Sequence, residues 1–594
     1  MAPKSAEKAS DLSLAPSTQI DPHEHPEQKV PAAQETSKDV EAHQGPPETV
    51  YPPTSVIIPI MAVIYLGLFV VALDRTILAT AIPIITDDFN SLGDVGWYGS
   101  AYMLTGCTTQ LLVGRLYTFY SQKVVYLSSL FLFELGSAIC GAAPNSIVFI
   151  VGRAIAGLGS GGVFTGAIIL MIPLVPLRKR PIFQGLGGAL FGIASVVGPL
   201  LGGAFTQHVT WRWCFYINLP IGAITAVVVL FVLKQTAPPK NAAMSLKHKI
   251  LQLDPLGNLC FVPGMICLLL ALQWGGSTYA WGNARIIVLL TLGILLLIGF
   301  IVIQGINHND TATVAPRIFN QRTILAAFWY TFCNSSAMMA IVYYMPIWFQ
   351  AIKGVNAVNS GLMLLPLVLS LVVASLMTGA LVTRFGYYTP FIISSSFIAS
   401  IGAGLLTTFK TDSGRDYWIG YQFIFGFGLG LGMQQANIAV QCVLPKADVP
   451  VGTTLMFFAQ QLGGAVFVSV CQNVFANELV KGVTKLVAGV SPQAVIGTGA
   501  THLRTVFGED VLPGVLAAYN TALVKAFTVA LAMCCFSIFG SAAIEWRSVK
   551  KHKEQEEGAP AVAPPQKVEV EKEGRPSTTA PSKNEADDQE ENKE

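Results

Sequence analysis

The chain has 594 residues, 52% hydrophobic and only 12% charged, with a mean hydropathy of +0.54. Soluble globular chains carry about 25% charged residues, so this composition excludes an ordinary cytosolic enzyme and predicts a polytopic membrane protein. A formal net charge of +2, from 37 Lys+Arg against 35 Asp+Glu, excludes the basic field of a nucleic-acid binder, so no nucleic-acid partner is expected.

The acids concentrate at the ends of the chain. Residues 1–53 hold nine and the residues from Arg547 onward hold twelve, leaving fourteen for the body. Both tails are rich in Pro, Ala, Glu, Ser and Lys. They have too little apolar surface to offset chain entropy, which predicts disorder over 1–53 and 547–594. The N-terminal tail has no apolar signal-peptide core, so the first hydrophobic helix should act as an uncleaved anchor.

Between the tails, apolar stretches long enough to cross a lipid bilayer, about 20 residues each, fall at 55–84, 96–117, 123–143, 146–171, 182–206, 214–233 and 254–273. Seven more follow at 284–305, 323–350, 360–382, 389–408, 417–442, 450–476 and 519–544. An even count of fourteen puts both tails on one side. With that side inside, short inner loops carry thirteen Lys/Arg and short outer loops five, so the positive-inside rule predicts cytosolic termini. Of two sequons, Asn309 then falls in the cytosol and Asn334 within a span, so neither should be glycosylated. The segment Gly114–Lys123 after the second span echoes Gly379–Tyr388 after the tenth. That echo predicts two parallel six-helix halves, 54–233 and 311–546, with spans seven and eight as an inserted pair in 234–310.

The ten cysteines lie almost entirely in apolar segments and show neither zinc spacing nor a disulfide framework. Cys140 and Cys214 both fall near predicted outer ends, where pairing stays open. The dipeptide Gly-Lys is absent, so no P-loop can cradle ATP. Energy would then come from a gradient, or transport would be passive, with no cofactor, metal or enzymatic chemistry expected. His23-Glu24-His25 lacks metal-ligand spacing, and no histidine lies mid-span. A proton relay would therefore need a carboxylate.

Charges within the spans are few: Asp74, Arg75, Glu134, Arg153 and, near an end, Lys525. Each costs on the order of 3 kcal/mol at a helix centre and so faces a cavity or a partner. Asp74, Arg153 and Glu134 are the candidates for proton coupling. The competing reading is a permanent structural pair of Asp74 or Glu134 with Arg153, or a Glu134 that snorkels or stays protonated. Mid-span amides Asn334, Gln434, Gln435, Asn437, Gln460 and Gln461 are candidates for a substrate cavity, with interhelical glue as the alternative. Trp97, Tyr98, Trp211, Trp213, Trp281 and Trp418 cluster at helix ends and read as an interfacial belt. Glycines recur at four-residue spacing, such as Gly157/Gly161, Gly162/Gly166, Gly426/Gly430 and Gly428/Gly432, which suits close helix packing. In Gly198-Pro199-Leu-Leu-Gly202-Gly203 the proline removes a backbone hydrogen bond mid-span, making a candidate hinge.

Four segments carry a resemblance. Leu73-Asp-Arg-Thr-Ile-Leu-Ala-Thr-Ala-Ile-Pro83 resembles the first-helix signature of the fourteen-span drug:proton antiporters of the major facilitator superfamily. Arg153–Gly159 resembles that superfamily's fourth-helix arginine motif, and Gly198–Gly203 its antiporter motif in helix five. Trp211–Gly222 is similar to the segment that opens helix six in the same group. Phe133–Gly136, Ala143-Pro-Asn145 and Val175–Pro181 look most like fungal toxin or multidrug efflux carriers. The inner-loop motif departs from the family: an acid is expected where Thr118 and Thr383 stand, which removes its usual salt-bridge gate. Arg384 and Gly386 keep part of the pattern.

The resemblance implies an all-α fold of two six-helix halves plus two inserted helices. It implies a monomeric exporter of amphipathic small molecules such as toxins, secondary metabolites and drugs, driven by inward proton flow across the plasma membrane. Its partners would be the substrate, protons and the lipid bilayer. Two other readings stand beside it: an importer or vacuolar-membrane carrier of a defined solute, such as a siderophore chelate or basic amino acid, and a non-transporting receptor or scaffold.

Overall fold

The computed structural model describes residues 51–91, 94–233, 245–276, 278–307, 311–487, 491, 495, 498 and 503–550. Most of both predicted disordered tails and the Asn309 sequon lie outside the described residues. Long helices dominate: α1 (Thr54–Phe89), α2 (Val95–Phe119), α3 (Gln122–Ala142), α4 (Ser146–Met171), α5 (Arg180–His208), α6 (Asn218–Val232) and α7 (Pro255–Trp274). They continue with α8 (Ala284–Ile306), α9 (Arg322–Lys353), α10 (Leu365–Phe385), α11 (Thr389–Leu406), α13 (Val449–Leu486) and α14 (Leu512–Ala543). Between α11 and α13, α12 runs Arg415–Gly432 and resumes after a turn as Gln435–Val443. Outside helices, the described residues show only two isolated β-bridges.

Thirteen of these helices are long and apolar enough to cross a membrane, so this is a multi-pass membrane protein. The fourteenth, α2, has 25 residues but carries Thr105, Thr108, Thr109 and Gln110, which dilute its hydropathy while satisfying themselves within the bundle. Two boundaries differ from the sequence expectation. The apolar stretch placed at 450–476 is the core of a helix that continues to Leu486, and the last helix begins at Leu512 rather than 519. Both extensions lie at the end where the long outer segment was expected, because amphipathic turns add to a helix without adding hydropathy.

Local sequence sets the helix ends. The Asn145 side chain accepts from Val148 N at 3.0 Å and starts α4. Gly386 stops α10 at φ 91°, a left-handed conformation that only glycine adopts without strain. Asp254 caps α7 from φ 52° and, buried, accepts from Gly257 N, Gln304 Nε2, Asn307 Nδ2 and Thr313 N and Oγ1. That carboxylate ties the start of α7 to the end of α8 and the chain leading into α9.

Packing repeats along the chain. α1 lies against α5 and α6, α2 against α4, and α3 against α4 and α6. The same relations recur eight helices later: α9 against α13 and α14, α10 against α12, and α11 against α12 and α14. The two sets meet through α2 with α13 and through α5 with α10, while α7 and α8 pair with each other. The paired glycines supply the close approaches. A Cβ on Gly430 would overlap the Leu371 carbonyl of α10, and one on Gly428 the Ala399 backbone of α11. In α4, Gly157 faces Tyr102 of α2 and Gly162 faces Ser129 of α3. The first glycines of the two echoed segments also match: Gly114 packs on Thr454 of α13, and Gly379 on Pro181 of α5.

All ten cysteines are free thiols, so Cys140 and Cys214, both buried, are not joined. The aromatic belt needs correction. Trp213 and Trp281 are exposed as expected, but Tyr98, Trp211 and Trp418 are buried. Trp211 stacks edge-on with Phe89, Phe149 and Phe215, and Trp418 with Phe349. A helix-end aromatic reads the same in sequence whether it points to lipid headgroups or to a neighbouring helix.

Candidate functional site

Asp74 lies midway along α1, and its residue and Arg153 of α4 are 0% and 2% exposed. Arg153 Nη1 donates to Asp74 Oδ2 at 2.7 Å, and its Nε donates to the Tyr98 carbonyl of α2 at 3.0 Å. The other carboxylate oxygen accepts from Asn218 Nδ2 of α6 at 3.3 Å. Asn218 Nδ2 also donates to Ser137 Oγ of α3 at 3.1 Å. Four helices besides α1 thus converge on one carboxylate and its guanidinium. Asn218 was not singled out by sequence, although it lies inside the Trp211–Gly222 motif.

Glu134 of α3 sits nearby, one turn before Ser137. Both its carboxyl oxygens are buried without a hydrogen-bond partner among the described residues, against Gly222 of α6. It does not pair with Arg153. Lys525 is exposed on α14, away from this cluster.

Arg75, the next residue on α1, turns about 100° around the helix and faces a different space. Its Nη1 donates to Gln461 Oε1 of α13 at 3.1 Å. Its guanidinium lies 5.3 Å from the ring centroids of both Tyr102 and Phe164. The Tyr102 ring also stands 4.4 Å from the Arg153 guanidinium. One aromatic ring therefore touches the cation of the buried pair and the cation beside it.

Arg75 lines a cavity between the two sets of helices. Tyr65, Phe164, Phe191 and Phe457 give it aromatic walls, and Met171, Met339 and Met433 add soft apolar surface. Gln110, Gln184, Gln434, Gln460 and Gln461 supply amides. Of the six amides expected to face a cavity, the structure places Gln434, Gln460 and Gln461 there. Asn334, Gln435 and Asn437 are buried but are not among the lining residues. The turn at 433–434 that divides α12 explains the split: Gln434 sits on the turn, and Gln435 begins the next helical segment facing elsewhere. Sequence reading missed Gln110, Gln184 and the orientation of Arg75. Periodicity gives no clue there, since lipid and bundle interior are both apolar.

The proline segment of α5 lies directly on the Asp74 turn. Thr76 Oγ1 donates to the Ala194 carbonyl at 2.9 Å, beside the carbonyl that Pro199 leaves without its helical donor. A Cβ on Gly202 would fall 2.8 Å from the Ile77 carbonyl. At the end of the bundle where α1 starts and α14 stops, Arg180 Nη1 of α5 donates to Gln441 Oε1 of α12 at 3.2 Å. Thr118 and Thr383, which stand where the family pattern has an acid, bond back to their own helices at Gly114 and Gly379.

The fold and the sequence find clear matches. The structure of the human organic anion transporter MFSD10 superposes with a TM-score of 0.53 at 14% identity, covering 81% of this chain and all of that one. A double Trp mutant of XylE gives 0.54 at 12% identity, covering 85% and 99%. Among curated proteins, the MFS-type efflux pump MFS1 of Arthroderma benhamiae is 53% identical over 497 residues, 83% of this chain and 92% of that protein. The efflux pump aflT of Aspergillus parasiticus is 51% identical, covering 82% and 95%, and the rubrofusarin-specific efflux pump aurT of Gibberella zeae is 52% identical, covering 82% and 88%. With residues 64–468 also matching the Major Facilitator Superfamily model, the chain belongs to the major facilitator superfamily.

Proposed function

We propose that this protein is a secondary active exporter of amphipathic small molecules, exchanging them for protons. The efflux pumps to which it is similar over more than four fifths of its length support export. The observation that carries the coupling mechanism is the fully buried Asp74–Arg153 pair set one residue from the cavity-lining Arg75.

A proton reaching Asp74 neutralises the carboxylate and leaves Arg153 buried without its counter-ion. An uncompensated buried guanidinium is unfavourable by several kcal/mol, so α4 and α2 must shift to resolvate it. Tyr102 passes that shift to Arg75 and hence to the cavity. Export of bound substrate then returns the protein to a state in which Asp74 deprotonates and re-pairs. The proton and the substrate thereby bias the same two conformations in opposite directions. The proline segment on α5, touching Thr76 and Ile77, serves as the hinge between them, and the two packed helix sets are the moving halves. The setting is the plasma membrane, with both termini cytosolic and the monomer as the working unit.

Everted membrane vesicles with an imposed pH gradient test this. Asp74→Asn should abolish uphill accumulation of substrate while the purified variant still binds it. Gradient-sensitive accumulation retained in Asp74→Asn would remove the carboxylate from the coupling role.

A further inference from the structure

Among the described residues, five amide side chains and four aromatic residues line the central cavity, yet Arg75 is its single charged lining residue. No carboxylate among the described residues lines it. Asp74, though adjacent in sequence, faces away and is neutralised by Arg153. The cavity therefore holds one uncompensated positive charge at membrane depth, where a cation requires a partner.

The partners Arg75 has are weak ones. A neutral amide accepts from one of its nitrogens, two rings flank it, and its Nε is buried with no hydrogen-bond acceptor among the described residues. A second, independent group points the same way. Gln184 of α5 is only 4% exposed and lines the same cavity, and both its amide nitrogen and its amide oxygen lack hydrogen-bond partners among the described residues.

We infer that the cavity is built for aromatic organic anions, carboxylates or ionised phenols on a flat ring system, with Arg75 as the charge anchor. An anion entering a low-dielectric space must replace its water with donors. The Arg75 fork supplies charge-assisted ones, and the N–H groups of Gln184 and Gln460 supply neutral ones. The ring system lies against Phe164, Phe191 and Phe457, with the methionines adapting to its outline. A cationic ligand of equal shape would meet the same guanidinium as repulsion, with no carboxylate to offset it. This selectivity rests on the reading of the cavity as the export site, but it concerns binding and needs no gradient.

The test uses the full-length protein in lipid nanodiscs and three probes with one ring system: 2-naphthoate, 2-naphthamide and 2-naphthylmethylammonium. Equilibrium binding should favour naphthoate over naphthamide by about tenfold or more, the range of a charge-assisted hydrogen bond, with the ammonium weakest. Arg75→Gln should narrow the naphthoate-to-naphthamide ratio to about twofold or less, and Arg75→Lys should keep an intermediate preference.

Gln461→Glu offers a second route that leaves Arg75 in place, because it sets a carboxylate beside the guanidinium and should likewise erase the preference. An ammonium that binds as tightly as naphthoate, a preference that survives both Arg75→Gln and Gln461→Glu, or binding of none of the three probes would each overturn the inference. Anion-selective binding without gradient-driven transport would instead reject the export reading alone. Gradient-driven export of a cation by a protein blind to naphthoate would reject only the anion site.

Discussion

Arg153 makes three kinds of contact at once: an ion pair to α1, a hydrogen bond to the Tyr98 carbonyl of α2, and a face-on approach to Tyr102. Lysine keeps the charge but not the planar fork. Arg153→Lys should therefore hold abundance near normal and lose most transport in the vesicle assay. Arg153→Ala strands the Asp74 carboxylate in the bundle, and removing one partner of a buried pair typically costs about 3–5 kcal/mol. Its membrane abundance should fall, and the double change Asp74→Asn with Arg153→Ala should restore abundance without restoring transport. If Arg153→Ala transports normally at normal abundance, the pair is not the switch, and Glu134 of α3, whose carboxyl oxygens are buried against α6 with no hydrogen-bond partner among the described residues, becomes the better carrier of the proton. Tyr102 offers a finer test, because its ring joins the Arg153 and Arg75 guanidinia. Tyr102→Phe should retain gradient-driven transport, whereas Tyr102→Leu, similar in burial but without a π face, should bind substrate and transport it only downhill. Equal coupling in the two variants would dissociate the ring from the mechanism.

The helices that join the two packed sets meet through small residues, and one of these contacts is tight enough to test. Gly379 of α10 sits so close to α5 that a Cβ would fall 2.6 Å from the Pro181 carbonyl. Gly379→Val should force α5 and α10 apart at the end of the bundle that carries Arg180 and Gln441, at an overpacking cost of about 1–3 kcal/mol. A lowered melting temperature in detergent and lost transport are the expected results. Gly420→Val, where a Cβ meets nothing within 4 Å, is the matched control and should change neither. If the two behave alike, the α5–α10 contact is not limiting. The existence of these helices was legible in the sequence, because a bilayer admits few alternatives to an apolar segment of about 20 residues. Their azimuth was not. In a soluble helix the polar stripe reports which face is buried, but α1 carries apolar residues on every face and α12 is interrupted by the turn at Met433 and Gln434. Hence the Asp74–Arg153 contact could be anticipated from the rarity of its charges, while Arg75, Gln184 and Gln110 entered the site only through geometry.

At the scale of the whole molecule, the charge carried per cycle follows from what the cavity holds. If one proton moves inward as one aromatic monoanion moves outward, each turnover transfers the equivalent of two positive charges inward. An inside-negative membrane potential then drives the cycle with about 2.3 kcal/mol per charge per 100 mV, so about 4.6 kcal/mol per 100 mV for the pair of movements. A neutral substrate would draw on half of that, and a monovalent cation exchanged for one proton on none. Vesicles loaded with potassium and treated with valinomycin separate these cases, because the potential can be set while the pH gradient is held at zero. Naphthoate efflux should accelerate with the imposed potential about twice as steeply, on a logarithmic scale, as naphthamide efflux. In Arg75→Gln, naphthoate export should fall towards the naphthamide rate, because the variant loses the anchor that admits the anion. Potential-independent export of naphthoate would mean that more than one charge balances inside the cycle, and would place the coupling stoichiometry outside the one-for-one exchange assumed for Asp74.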